Sequence, residues 1–399
     1  MNKRIESLRN RSLAAVPHIS AERAVLMTRF YETGVAQKES IPVQRALAFK
    51  HLLEKKAVWI DADELIVGER GPAPKATPTY PEVCIHSVRD LEIFDTRAKV
   101  PFNVPKTVKE AYAKKIIPFW QGKTIREKIF GHMTAAWQAA YDAGIFTEFQ
   151  EQRSPGHTVL GSKIYQKGFE QLKMEIEASV RALDFFHDPQ ALDKQEALKA
   201  MRIAAEALMA YAQRHADRLR QMAAEQDDQE RQQELTHMAH ICERVPAQAP
   251  QSFWEALQYY WFVHIGVITE LNPWDAFNPG RLDQHLYPFY QKELAAGTLT
   301  RGRAKELLQA FWIKFNNHPA PPKSGVTGKE SNTYVDFALI NVGGVTRQNA
   351  DAVNELTYLI LDVVEEMRLL QPSAMCQVSK KNPDRFVKRA LKIVRTGFG

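Results

Sequence analysis

Residues 269–290, TELNPWDAFNPGRLDQHLYPFY, decide how the rest of the chain is read. They follow an apolar, aromatic run over residues 253–268 and hold three prolines with the acids Glu270, Asp275 and Asp283. Asn-Pro occurs twice, at Asn272-Pro273 and Asn278-Pro279. The residue before a proline avoids the helical region, so each pair predicts a turn. An aromatic, irregular segment centred on an acid suits the wall of a buried pocket better than a surface loop. Asp275 has a second reading, as the cap of a short helix that follows, and the segment alone does not choose between them.

Working outward, 399 residues can bury a large core, and 45% apolar with 25% charged residues is a globular balance. The net charge is +6, but 53 basic residues are interleaved with 47 acidic ones, without a basic tract of the kind that binds nucleic acid. The first residues lack the apolar run of a signal peptide and no stretch approaches a membrane span, so a cytoplasmic protein is expected. Cys84, Cys242 and Cys376 are spaced too widely for a disulfide framework or a zinc module.

Residues 1–60 predict helices, one after Ser20 and one opened by Ile41-Pro42, from apolar residues at helical spacing. Residues 58–82 alternate short apolar runs with glycine and four prolines, predicting one or two strands and then a proline-pinned extended segment. Helix returns over 107–143, with an interruption expected near Pro118. Long helices follow from about 163 to 245, with a charged junction at 225–234. From 300 onward helix alternates with strand-like runs such as DFALINVGGVT and AMCQVS, which predicts an α/β layer.

His237, His240 and Cys242, with Glu243, could present metal ligands on one helix face. A matching motif from a second helix is missing, so a helix end before Pro246 is the better reading and no metal is expected. Val342-Gly343-Gly344 lacks the spacing of a phosphate loop and more simply ends a strand. Ser154-Pro155-Gly156 is not a nucleophile elbow. His157, Asp275 and Asp336 remain, each in apolar surroundings. A buried carboxylate costs several kcal/mol unless paired, so the three could share one pocket around a polar ligand. Three separately satisfied side chains fit the same sequence.

Six blocks resemble the glycyl radical enzymes of the pyruvate formate-lyase superfamily: residues 20–32 (SAERAVLMTRFYE), 63–82 (DELIVGERGPAPKATPTYPE), 144–161 (GIFTEFQEQRSPGHTVLG), 253–290, 311–323 (FWIKFNNHPAPPK) and 331–344 (SNTYVDFALINVGG). The blocks at 272–290 and 311–317 are specific to the hydroxyproline-dehydrating branch. The resemblance implies a helix-rich α/β fold over 1–399, the N-terminal half of a ten-stranded barrel: one five-stranded half-barrel with its surrounding helices.

It further implies that His157 and Asp275 hydrogen-bond the C4 hydroxyl of a hydroxyproline-like substrate, that Asp336 pairs with the ring ammonium, and that Phe149 and Phe337 pack on the ring. The family's reaction starts from a glycyl radical installed by an iron–sulfur activating enzyme that uses S-adenosylmethionine, and passes through a cysteine. Neither the cysteine loop nor the glycine loop matches any part of residues 1–399. The complete protein is expected to be a homodimer that binds this small molecule, and neither nucleic acid nor membrane. Another glycyl radical lyase or dehydratase, or a non-catalytic remnant binding a small molecule or a partner, are the alternatives.

Overall fold

The computed structural model describes residues 1–145, 160–271, 277–323, 328 and 338–397. The N-terminal helices form at Lys3–Ala14, Glu22–Glu32 and Ile41–Lys55. Pro42 lies in the first turn of the third, where a missing N–H costs nothing. Ser20 ends a strand instead of capping the second helix; Ala21 takes that place without a side-chain bond. The 34-residue helix Ala191–Ala224 packs on Ile41–Lys55 and on Gln229–Arg244. Asp228 accepts from the N–H groups of Glu230 and Arg231 and so caps the latter, which places the charged junction in an exposed turn.

Helix Phe253–Glu270 is the axis of this packing. Tyr259, Tyr260, Trp261, Phe262 and Ile265 point in every direction around it, and all are buried. A helix apolar all round needs partners on every side. Ala191–Ala224, Gln229–Arg244, Leu282–Ala296 and Arg301–Asn316 supply them.

Residues 58–82 hold one strand, as expected, but it lies at Ala76–Pro78 in the proline-pinned part. The apolar runs before it, expected as strand, pass beside the apolar helix without a strand partner, because helix side chains take that place. Gln258 bonds both the N–H and the carbonyl of Val67, at 2.9 and 2.8 Å. Trp254 and Trp261 donate to the carbonyls of Leu65 and Gly68. Buried backbone groups must be paired, and side chains from another element satisfy that demand as well as a ladder does. Pro118 also departs from expectation. The chain stays helical from Lys106 through Trp120, because a wider π-turn at Tyr112–Ile116 precedes the proline and relieves its clash.

Among the described residues the strands form two parallel sheets. β1 (His18–Ser20) pairs with β2 (Ala76–Pro78). β3 (Gly280–Arg281), β4 (Leu339–Gly343) and β5 (Ser373–Gln377) form the second in that order, with Gly280 opposite Ile340 and Leu339 opposite Ser373. Parallel neighbours need long crossovers. Leu282–Ala296 and Arg301–Asn316 lie between β3 and β4, and Glu355–Met367 between β4 and β5. The result is the expected helix-rich α/β architecture.

The glycine doublet ends β4 as expected, with φ of +77° at Gly343 and +73° at Gly344. A Cβ at Gly343 would stand 2.4 Å from the ring of Phe386. Asp283, fully buried, receives the Gly343 N–H at 2.8 Å and the Thr357 hydroxyl at 2.7 Å, so this acid of the opening stretch is a staple of the sheet end.

Glu234 ties the N-terminal helix to the core. It accepts from Arg4 and Arg303 at 2.8 Å each and pairs with Arg231. Glu234→Ala leaves three guanidiniums crowded together, and urea unfolding is expected to show a loss of about 2 kcal/mol.

Candidate active site

The apolar helix stops at Glu270, where its last carbonyls run out of intrahelical partners. The Tyr80 hydroxyl donates to Ile268 O at 2.5 Å, Arg23 Nε donates to Thr269 O at 2.7 Å, and Leu271 N–H returns to Val267 O at 2.8 Å. Arg45 pairs with the Glu270 carboxylate. Leu271 borders residues 272–276, and Leu160 borders 146–159. Both line one apolar groove of about 440 Å³ with Phe49, Leu208 and Val267. On the far side of 272–276, the Asn278 side chain accepts from Leu339 N–H at 2.6 Å, two residues beyond 337.

Phe149, His157, Asp275, Asp336 and Phe337, the five side chains expected in the pocket, lie outside the described residues. What the structure brings together is their flanks: Leu160 with Leu271, and Asn278 with Leu339.

Beside this region lies a buried ionic cluster for which the sequence reading assigned no role. Lys314 Nζ is 2.7 Å from Glu64 Oε1 and 2.5 Å from Glu69 Oε1. His318 Nε2 stands 2.8 Å from Glu69 Oε2, and Asn317 donates to Glu69 at 3.0 Å. Lys56 and Tyr211 both donate to the Glu69 carbonyl, and Arg70 donates to Pro319 O. Trp261 stacks on His264 and His318 at 5.0 and 5.3 Å. The cluster bolts residues 64–70 to 314–319, the stretch that leads toward Asp336. Lys314 in the last turn of an aromatic helix, with His318 just past its end, was the available signal. Their partners stand some 250 residues away.

Burial pushes both carboxyls up, but the outcomes diverge. Lys314 and His318 more than reverse the effect on Glu69, holding it down at about 2. Burial prevails at Glu64, which rises to about 7 with the Glu69 charge adding to it. One ammonium thus faces one full carboxylate. A folded pKa above the unfolded 4.5 means that the stability Glu64 contributes is present below pH 4.5 and is lost as pH rises through about 7. Glu64→Gln is expected to flatten the wild-type decline between those values in a pH series of urea titrations.

The metal-like triplet takes separate surroundings. His237 rests on Trp254, His240 pairs with Glu243 at 3.2 Å, and Cys242 is buried. Among the described residues no group of three or more such side chains could hold a metal ion. Burial raises the Cys242 and Cys376 thiols, against thiolate chemistry at either. No helix among them is long and apolar enough to cross a membrane.

The chain belongs to the pyruvate formate lyase-like family, whose sequence model matches residues 1–399. The resemblance read from the six blocks is borne out at that level. Within the family, trans-4-hydroxy-L-proline dehydratase of Clostridioides difficile is 52% identical over 397 residues, covering 100% of this chain and 50% of that protein. The crystal structure of the Clostridioides difficile hydroxyproline dehydratase with trans-4-hydroxy-L-proline bound matches with a TM-score of 0.95 at 51% identity, over 99% of this chain and 50% of the other. A glycyl radical enzyme from Archaeoglobus fulgidus matches at 0.89 and 29% identity, over 99% and 50%. The chain spans about half the length of the relatives it matches.

Proposed function

We propose that residues 1–399 build the substrate-pocket half of a glycyl radical dehydratase that removes water from trans-4-hydroxy-L-proline. The observation that carries this reading is the identity of 52% over the whole chain to a hydroxyproline dehydratase, against 29% to the more distant glycyl radical enzyme. Asp275 and Asp336 each precede by three residues one member of the bonded pair Asn278–Leu339.

In this reading His157 and Asp275 hydrogen-bond the C4 hydroxyl. Hydroxide is a poor leaving group, so a proton supplied there lets the C–O bond break with release of water. Asp336 faces the ring ammonium, as a cation in a dry pocket requires, and Phe149 and Phe337 pack on the pyrrolidine ring. Residues 1–399 form the N-terminal part of the pyruvate formate-lyase-type domain. The thiyl cysteine and the glycyl radical belong to a C-terminal half outside them, and the radical is installed by an activating enzyme that uses S-adenosylmethionine. The complete protein is a cytoplasmic homodimer.

The test joins this chain to a C-terminal half carrying the activated glycine, without oxygen. Hydroxyproline is expected to yield the pyrroline carboxylate, while glycerol and isethionate are left intact. Turnover of glycerol or isethionate in preference to hydroxyproline would overturn the substrate assignment.

A further inference from the structure

Helix Phe169–Arg181 and the first turns of Ala191–Ala224 form a hairpin that projects from the core. Among the described residues, the first of these helices buries Phe169 alone, and the second buries nothing between Ala191 and Ile203. Yet both carry large apolar side chains. Met174, Phe185, Leu192 and Met201 are more than half exposed, and Phe186 at the tip is 96% exposed. Helices in proteins gain most of their stability by burying an apolar face, and clustered exposed apolar groups mark a contact surface. The tip is held in shape: Asp184 accepts from the N–H groups of Phe186 and His187 at 3.0 and 3.1 Å, and Asp188 accepts from Lys194 at 2.6 Å.

A groove of about 490 Å³ runs between the two helices, lined by Ile176, Val180 and Leu198 with charged groups beside them. Met174, Glu177 and Arg181 stand three and four apart, so they share one face of the first helix. Among the described residues neither Glu177 nor Arg181 has an ion-pair partner, whereas their neighbours Lys173 and Lys194 do. A surface built for an unrelated acidic or basic partner carries one sign of charge. This one carries both, a helical turn apart, and so complements a copy of itself turned by a twofold axis.

We propose that this hairpin is the surface through which two copies of the protein associate. The arms lie antiparallel, each Glu177 facing the other copy's Arg181, and each Phe186 resting on the other's Met174 and Met201, a favourable sulfur–aromatic contact. This rests on the homodimer reading above and gives it a surface.

The experiment is sedimentation of the complete protein over a dilution series, in which the wild type is expected to dimerise. Phe186→Asp is expected to raise the dissociation constant about 10³-fold: a central aromatic is worth about thirtyfold, and a twofold interface carries the change twice. Its melting temperature should match the wild-type monomer, because the replaced ring is exposed. Glu177→Arg and Arg181→Glu each set like charges against one another across the axis and should raise the constant about tenfold. The double variant Glu177→Arg/Arg181→Glu restores both pairs and should return to within about threefold of wild type. A purely structural role for either residue would not give that rescue.

A dimer as tight in Phe186→Asp as in wild type would leave the homodimer standing and overturn the hairpin as its surface. The same dimer with a lowered melting temperature would mean that the C-terminal half covers the arm, and would overturn it as well. A wild type that stays monomeric throughout the series would remove the homodimer reading itself, and the inference with it.

Discussion

Asp275→Asn in the complete, activated enzyme is expected to lower hydroxyproline turnover about 10³-fold, the usual contribution of a positioned proton donor. Asparagine keeps the size and hydrogen-bonding shape of the side chain but has no proton to give to the departing hydroxide. KM should change little, because in the proposed site the ring ammonium is held separately, by Asp336. His157→Ala removes the second partner proposed for the same hydroxyl, and its turnover is expected to fall by a similar factor. The measurement is anaerobic formation of the pyrroline carboxylate under saturating substrate. Full activity in either variant would remove that residue from the site.

Lys314→Met carries the second large effect, this time on folding. The ammonium is 2% exposed and is shared by Glu64 and Glu69. Removing the ammonium leaves the buried carboxylates without their one fixed positive charge, and losses of about 3–5 kcal/mol are typical. Urea unfolding of residues 1–399 should show a loss of that size, with most of it recovered in the double variant Lys314→Met/Glu69→Gln. The recovery is the sharper half of the test. If the single variant were unstable only through poor packing of methionine, neutralising Glu69 would add a second loss.

Much of the helical framework could be read directly. Periodic apolar residues place the first helices, Pro42 marks the start of one, and the run over 253–268 is unmistakable as a buried element. Strand β4 and its terminal glycines follow from an apolar stretch ending in a doublet. The apolar run around 65–68 reads as a strand but forms none, because its backbone is satisfied by Gln258, Trp254 and Trp261, some 190 residues away. Local pattern shows only that such a segment is apolar and extended, which also describes a strand. The cluster around Glu69 was missed for the same reason: acids and lysine each read as isolated charges until the fold sets them within 3 Å. For the pocket, residue chemistry left Asp275 and Asp336 as candidates and only the resemblance gave them roles.

Helix Phe253–Glu270 has a consequence for the order in which the molecule loosens. Its amides are shielded on every side by helices that precede and follow it in the sequence, so no local fraying can expose them. In deuterated water they should exchange only through whole-molecule opening, long after those of Lys3–Ala14 or of the C-terminal helix Asp384–Val394. The segment that anchors the start of the Asp275 stretch would then be the last part of the backbone to take up label.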